Sequence, residues 1–157
     1  MKILGIDPGI ARMGWGVVEK KGQTFTPVDF GCYETSSKEE VPQRLSQVYE
    51  EVLRLISLYR PEAFAIEELF FNTNAKTAFV VGQARGVMLL AAAQKGIKLA
   101  IYTPLQVKIA LTGYGHAEKR QVGLMVKTIL KLTQVPKPDD TADALAVALT
   151  HAFTERH

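Results

Sequence analysis

The sequence of 157 residues contains one cysteine, Cys32. A lone cysteine excludes an internal disulfide and any zinc site built from clustered cysteines. It also suits a reducing compartment, so a cytoplasmic protein is expected. Long apolar runs are lacking too. The stretch 87–93 is among the longest, far short of the ~20 residues that span a bilayer, so no membrane role is expected. The opening Met1-Lys2-Ile3-Leu4-Gly5-Ile6-Asp7 has neither the apolar length nor the small-residue cleavage site of a secretory leader. Internal repeats and low-complexity tracts are absent. What remains is a globular composition, 47% hydrophobic and 22% charged, which argues against disorder. Residues 1–157 are therefore read as one domain, long enough to fold without disulfides or a structural metal.

The net charge of +3 conceals an uneven distribution. Residues 1–75 carry 8 Lys/Arg against 11 Asp/Glu, whereas residues 76–157 carry 11 against 5. Between Lys76 and Lys131 there are nine basic residues and one acid, Glu118. A basic face beside an acidic pocket suits a polyanion and a metal.

Hydrophobic patterning predicts three strands, a helix, a strand, a helix, a strand and further helices. Lys2–Asp7 reads as a buried strand, Gly14–Lys20 as a second and Phe25–Tyr33 as a third, joined by links short enough for antiparallel hairpins. Ser37-Lys38-Glu39-Glu40 reads as a capping box ahead of a helix with Pro42 in its first turn. That helix carries Leu45, Val48, Val52, Leu55 and Ile56 on one face and ends before Pro61. Ala63–Glu67 is a fourth strand. Asn74 could cap a helix over Ala75–Gln94, stopped by Gly96, and Ile97–Tyr102 is a fifth strand. Thr103-Pro104-Leu105-Gln106 opens a helix to about Leu111. Glu118–Lys131 is helical, and a last helix starts at Asp139 or Asp140. Helices between the later strands imply right-handed parallel crossovers. The fold class is α/β: a five-stranded mixed sheet, three strands in an antiparallel meander and two parallel, flanked by helices.

Asp7 and Glu67 each end a short apolar strand. If those strands are parallel neighbours, both carboxylates leave the same sheet edge, where open α/β sheets place ligands. Neither motif carries a Lys or Arg at the same point, so a divalent cation is the expected counter-charge. Asp140 and Asp143, three residues apart, share a helix face. After Asp143 the helix is apolar all round to Thr150, and a buried helix has little reason to carry an acid unless it meets a partner. Four carboxylates without His or Cys make a hard oxygen site suited to Mg²⁺ or Mn²⁺. Two ions about 3.5–4 Å apart could activate water on one side of a phosphodiester and stabilise the leaving oxygen on the other.

These residues carry a resemblance. Gly5-Ile6-Asp7-Pro8-Gly9 and Gly14-Trp15-Gly16-Val17-Val18 open the chain. Ala65-Ile66-Glu67 with Phe70, Gly82-Gln83-Ala84-Arg85-Gly86, Gln106-Val107-Lys108, Ala117-Glu118-Lys119 and Asp140-Thr141-Ala142-Asp143-Ala144-Leu145-Ala146 follow in order. The ordered set resembles the RuvC family of Holliday-junction resolvases over nearly the whole chain. The resemblance implies an RNase H-like fold and a homodimer that nicks two opposed strands of four-way junction DNA with Mg²⁺. It makes Asp7, Glu67, Asp140 and Asp143 the metal-binding catalytic acids. Phe70 becomes a base-contacting aromatic, and Lys108 and Lys119 become DNA-backbone or scissile-phosphate contacts. The branch-migration proteins RuvA and RuvB are the implied partners. Stacking of an exposed aromatic on an unpaired base would contribute about 1–3 kcal/mol.

Rival readings are another RNase H-like nuclease, an actin-like or sugar-kinase ATPase domain, and a non-catalytic junction-binding module. The ATPases share a strand–Asp–Gly-turn opening, but this chain is short for their paired domains. Four acids would repel DNA in a pure binding module without metal.

Overall fold

The computed structural model describes residues 1–68 and 75–155. Three strands, β1 (Lys2–Asp7), β2 (Arg12–Lys21) and β3 (Thr24–Glu34), form the expected antiparallel meander. Helix α1 (Val41–Tyr59) leads to β4 (Ala63–Glu67), which pairs parallel with β1. Helix α2 (Ala75–Gln94) leads to β5 (Lys98–Tyr102), parallel to β4. The chain ends in α3 (Pro104–Thr112), α4 (Lys119–Ile129) and α5 (Asp139–Thr154). The sheet order is β3-β2-β1-β4-β5, so β1 and β4 are central. This is the mixed, RNase H-like sheet expected from the patterning and the resemblance. Among the described residues, no helix is long and apolar enough to cross a membrane.

One local expectation fails. Ser37 does not cap α1: the helix is preceded by Glu40, which makes no side-chain capping bond, and Pro42 lies in its first turn. The residues before it form a turn, in which the Ser36 hydroxyl accepts from the Lys38 amide. Local hydrogen bonding by serine competes with capping, and here the turn wins. The Thr103–Gln106 capping box is present as expected. A reciprocal box between Glu118 and Gln121 opens α4. Asn74, the expected cap of α2, lies outside the described residues.

The two faces of the sheet are built from residues of different size. Leu4 and Ile6 of β1 and Phe64 and Ile66 of β4 are fully buried on the face covered by α1 and α2. Each such burial stabilises the fold by about 1.5–3 kcal/mol. The other face carries Ile3, Gly5, Ala63, Ala65, Gly14 and Gly16, and α5 lies directly on it. A Cβ on Gly5 would stand 2.1 Å from the Ala144 carbonyl oxygen, and one on Gly14 would stand 1.9 Å from that of Asp140. Helix and strand backbones approach this closely only because those side chains are missing. The Thr141 hydroxyl, donating to the Gly31 carbonyl at 3.1 Å, ties the first turn of α5 to β3.

Candidate active site

Alternation along the strands determines where the two strand-end acids point. Asp7 has the parity of Ile3 and Gly5, and Glu67 that of Ala63 and Ala65, so both face α5. Asp7 is also the cross-strand partner of Gly14. Because Gly14 lets the first turn of α5 onto the sheet, Asp140 reaches Asp7. The two side chains are hydrogen-bonded to each other. Asp143 lies one turn further along α5. The four acids expected from the sequence are thus brought into one electrostatic cluster by β1, β4 and α5.

The cluster is costly to ionise. The Asp7 carboxyl is pushed from 3.8 up to about 8, first by burial, then by the charges of Asp143 and Asp140, the bond to Asp140 and the charge of Glu67. Glu67 is raised by burial and by Asp143, against the pull of Lys119 and Lys108. Burial likewise raises Asp143, although a hydrogen bond from Lys119 opposes it. The acids repel one another in a partly dry setting, the condition that a cation relieves.

The two helix acids, Asp140 and Asp143, have basic partners. Lys119 at the start of α4 sits 3.0 Å from Asp143 and 3.6 Å from Asp139. Arg12 at the start of β2 places its Nε 3.4 Å from Asp140. These bases come from elements remote in sequence, so neither acid motif revealed them. Burial alone would lower the Lys119 pKa, but the hydrogen bond and charges of Asp143, with those of Asp139 and Asp7, raise it overall. Among the described residues, no three carboxylates converge closely enough to hold a metal ion. Lys119 and Arg12 stand against two of the four instead.

Lys108 and Lys119, expected at the DNA backbone, both line a cleft of about 270 Å³ with Glu67 and Asp143. Phe70 lies outside the described residues. Glu68 is exposed, on the opposite side of the strand from Glu67. Trp15 is core, 8% exposed. Arg85 of α2, which the sequence presented only as part of a motif, brings its Nε within 3.5 Å of the Glu67 carbonyl and braces the strand end.

A family model described as Crossover junction endodeoxyribonuclease RuvC matches residues 3–151. A crossover junction endodeoxyribonuclease RuvC of Alkaliphilus metalliredigens is 59% identical over 154 residues, covering 98% of this chain and 94% of the relative. The structure of Thermus thermophilus RuvC is similar at a TM-score of 0.90 and 45% identity, covering 98% of this chain and 94% of that one. T. thermophilus RuvC in complex with a Holliday junction substrate gives 0.89 and 41%, with the same coverage. The family implies dependence on a divalent metal. With the acid cluster standing at the carboxyl edge of this sheet, the chain belongs to the RuvC family of crossover junction endodeoxyribonucleases.

Proposed function

We propose that Asp7, Glu67, Asp140 and Asp143 are the catalytic acids with which this chain, acting as one nuclease domain, cuts four-way junction DNA by paired symmetric nicks. The observation that carries this reading is the electrostatic coupling of four mutually repelling carboxylates at one edge of the sheet, with Lys108 and Lys119 beside Glu67 and Asp143. An oxygen-only, hard donor set fits Mg²⁺, with Mn²⁺ as a substitute and two ions per site. When bound, divalent cations polarise the phosphoryl group and make water nucleophilic at neutral pH.

The chain's own residues do the rest. Asp7 carries a proton near neutral pH, held by burial and by Asp140, and gives it up when positive charge enters the cluster. Lys119 holds Asp143 in the free protein. Its ammonium becomes available to a phosphate oxygen once Asp143 has another partner. Lys108, across the same cleft, supplies a second charge for the DNA backbone.

Two equivalent nicks require two sites related by a two-fold axis, which supports a homodimer. The outer face of α2 suits a second copy: Phe79 is 67% exposed and Leu90 50%. Gly82 and Gly86, on that same face, have open space where a side chain would stand. The small residues of α2 divide between the two roles. Three of its alanines, Ala84, Ala91 and Ala92, are buried, while these two glycines face outward. Phe70 is proposed to contact unpaired bases at the junction centre, and RuvA and RuvB to be partners. A cytoplasmic setting accords with this role.

The test is nick mapping on a synthetic four-way junction, a linear duplex of the same sequence and an RNA–DNA hybrid. Symmetric cuts at matching positions in two strands of like polarity, in the junction alone, are expected. Equal cutting of duplex or hybrid would make the chain a general RNase H-like nuclease. Tight junction binding without cutting would make it a binding module.

A further inference from the structure

Lys108 and Lys119 lie on one flank of the acid cluster, toward α3 and α4. A DNA strand passing over four acids is repelled by them and must be held by cations on both sides. The opposite flank carries a second basic cleft of about 630 Å³, lined by Arg12, Lys137, Pro138 and Asp139. We propose that Arg12 and Lys137 form a phosphate subsite there, which holds a backbone phosphate neighbouring the one that is cut. The inference rests on the reading of the chain as a DNA-cutting enzyme and extends the path of its strand.

The nearest approach of Arg12 to Asp140 is Nε at 3.4 Å, without a hydrogen bond among the described residues, and its side chain is 54% exposed. So loose a pair leaves the planar fork for a phosphate, the anion whose geometry it matches. Lys137 is exposed, has no ion pair among the described residues and lies between Pro136 and Pro138. Proline restricts the backbone on both sides of it, so its ammonium is presented from a stiff segment. Asp139, the acid lining this cleft, pairs at 3.6 Å with Lys119 on the other side. The sixteen-residue α5 begins at this cleft without a side-chain cap. Its first-turn amides add to the attraction for an anion, although the two basic side chains carry the proposal. An arc of cations, Arg12, Lys137, Lys119 and Lys108, then brackets the acids, and the strand crosses between its two ends.

The experiment measures binding of the full chain to a fluorescent four-way junction and a linear duplex in EDTA, where cutting stops, over a range of salt concentrations. Removing one cation from a DNA phosphate lowers the slope of log K against log salt by roughly 0.7–0.9. Arg12→Gln and Lys137→Gln are each expected to show that drop, and the double variant about twice it. Lys137→Arg and Arg12→Lys should restore the slope, and Lys21→Gln, at the remote β2–β3 turn, should leave it unchanged. Lys137 touches none of the acids, so an unchanged slope for Lys137→Gln overturns the subsite whatever Arg12→Gln does. A weaker affinity with no change of slope overturns it equally. If wild type fails to prefer junction over duplex, the junction reading falls, while the slope on either DNA still reads the subsite.

Discussion

Replacing Asp7 by Asn should make the metal-free protein more stable, and the gain should depend on pH. The folded pKa of Asp7 is about 8, against an ordinary value of 3.8. Below pH 4 the carboxyl is protonated in both states, so it contributes nothing. Between pH 4 and 8 the unfolded chain releases the proton and the folded chain keeps it. Stability therefore falls as pH rises, by about 1.4 kcal/mol per pH unit. At pH 7 the accumulated cost is about 4 kcal/mol. Asn removes that cost but weakens the bond with Asp140, a loss of about 1–2 kcal/mol. The net gain is about 2 kcal/mol, which raises the melting temperature by roughly 4–8 °C for a domain of this size. Scanning calorimetry in EDTA from pH 4 to 8 is the assay. The variant should melt slightly below wild type at pH 4, where only the weakened bond to Asp140 counts, and above it by pH 7, with the difference still growing to pH 8. Mg²⁺ should stabilise wild type more than the variant. A variant that melts lower at pH 7 and 8, or a difference that does not vary with pH, would show that Asp7 is a structural turn acid and refute the reasoning.

Three further outcomes follow from the geometry. Gly14→Ala would drive a Cβ into the Asp140 carbonyl, 1.9 Å away, lifting α5 from the sheet; urea unfolding should show a loss of about 3 kcal/mol, together with loss of cleavage. Lys119→Met removes the cation that lowers Asp143 and Glu67, so the acidic limb of the cleavage pH profile should move to higher pH; an unmoved limb would detach Lys119 from those acids. Phe70→Ala should slow single-turnover cleavage by roughly 5–100-fold, the equivalent of one base stack, with an unchanged melting temperature; unchanged cleavage would remove Phe70 from the DNA site.

Much of this arrangement is legible in the sequence because it depends on local rules. Lys2–Asp7, Ala63–Glu67 and Ala75–Gln94 have the expected bounds, since each pairs a sustained hydrophobic pattern with a clear stop. The four acids are visible because an acid ending an apolar strand, or set in an apolar helix, has few structural explanations. The rest depends on tertiary register. That Gly14 lies opposite Asp7 and beneath Asp140 follows from strand pairing and helix docking together. Arg12 and Lys119 partner the acids from positions that no local motif links to them. Ser37 has the spacing to Glu40 of a cap, but a turn intervenes before α1.

The four acids are proposed to serve cleavage and not DNA affinity. Single-turnover junction cleavage in Mg²⁺ and gel-shift binding in EDTA, for wild type and for Asp7→Asn, Glu67→Gln, Asp140→Asn and Asp143→Asn, test this most directly. Each variant should lose at least about 10³-fold in rate, the equivalent of several kcal/mol of transition-state stabilisation, while binding the junction at least as tightly as wild type. A variant that still cuts at the wild-type rate would remove its residue from the site, and loss of junction binding across the set would contradict the claim.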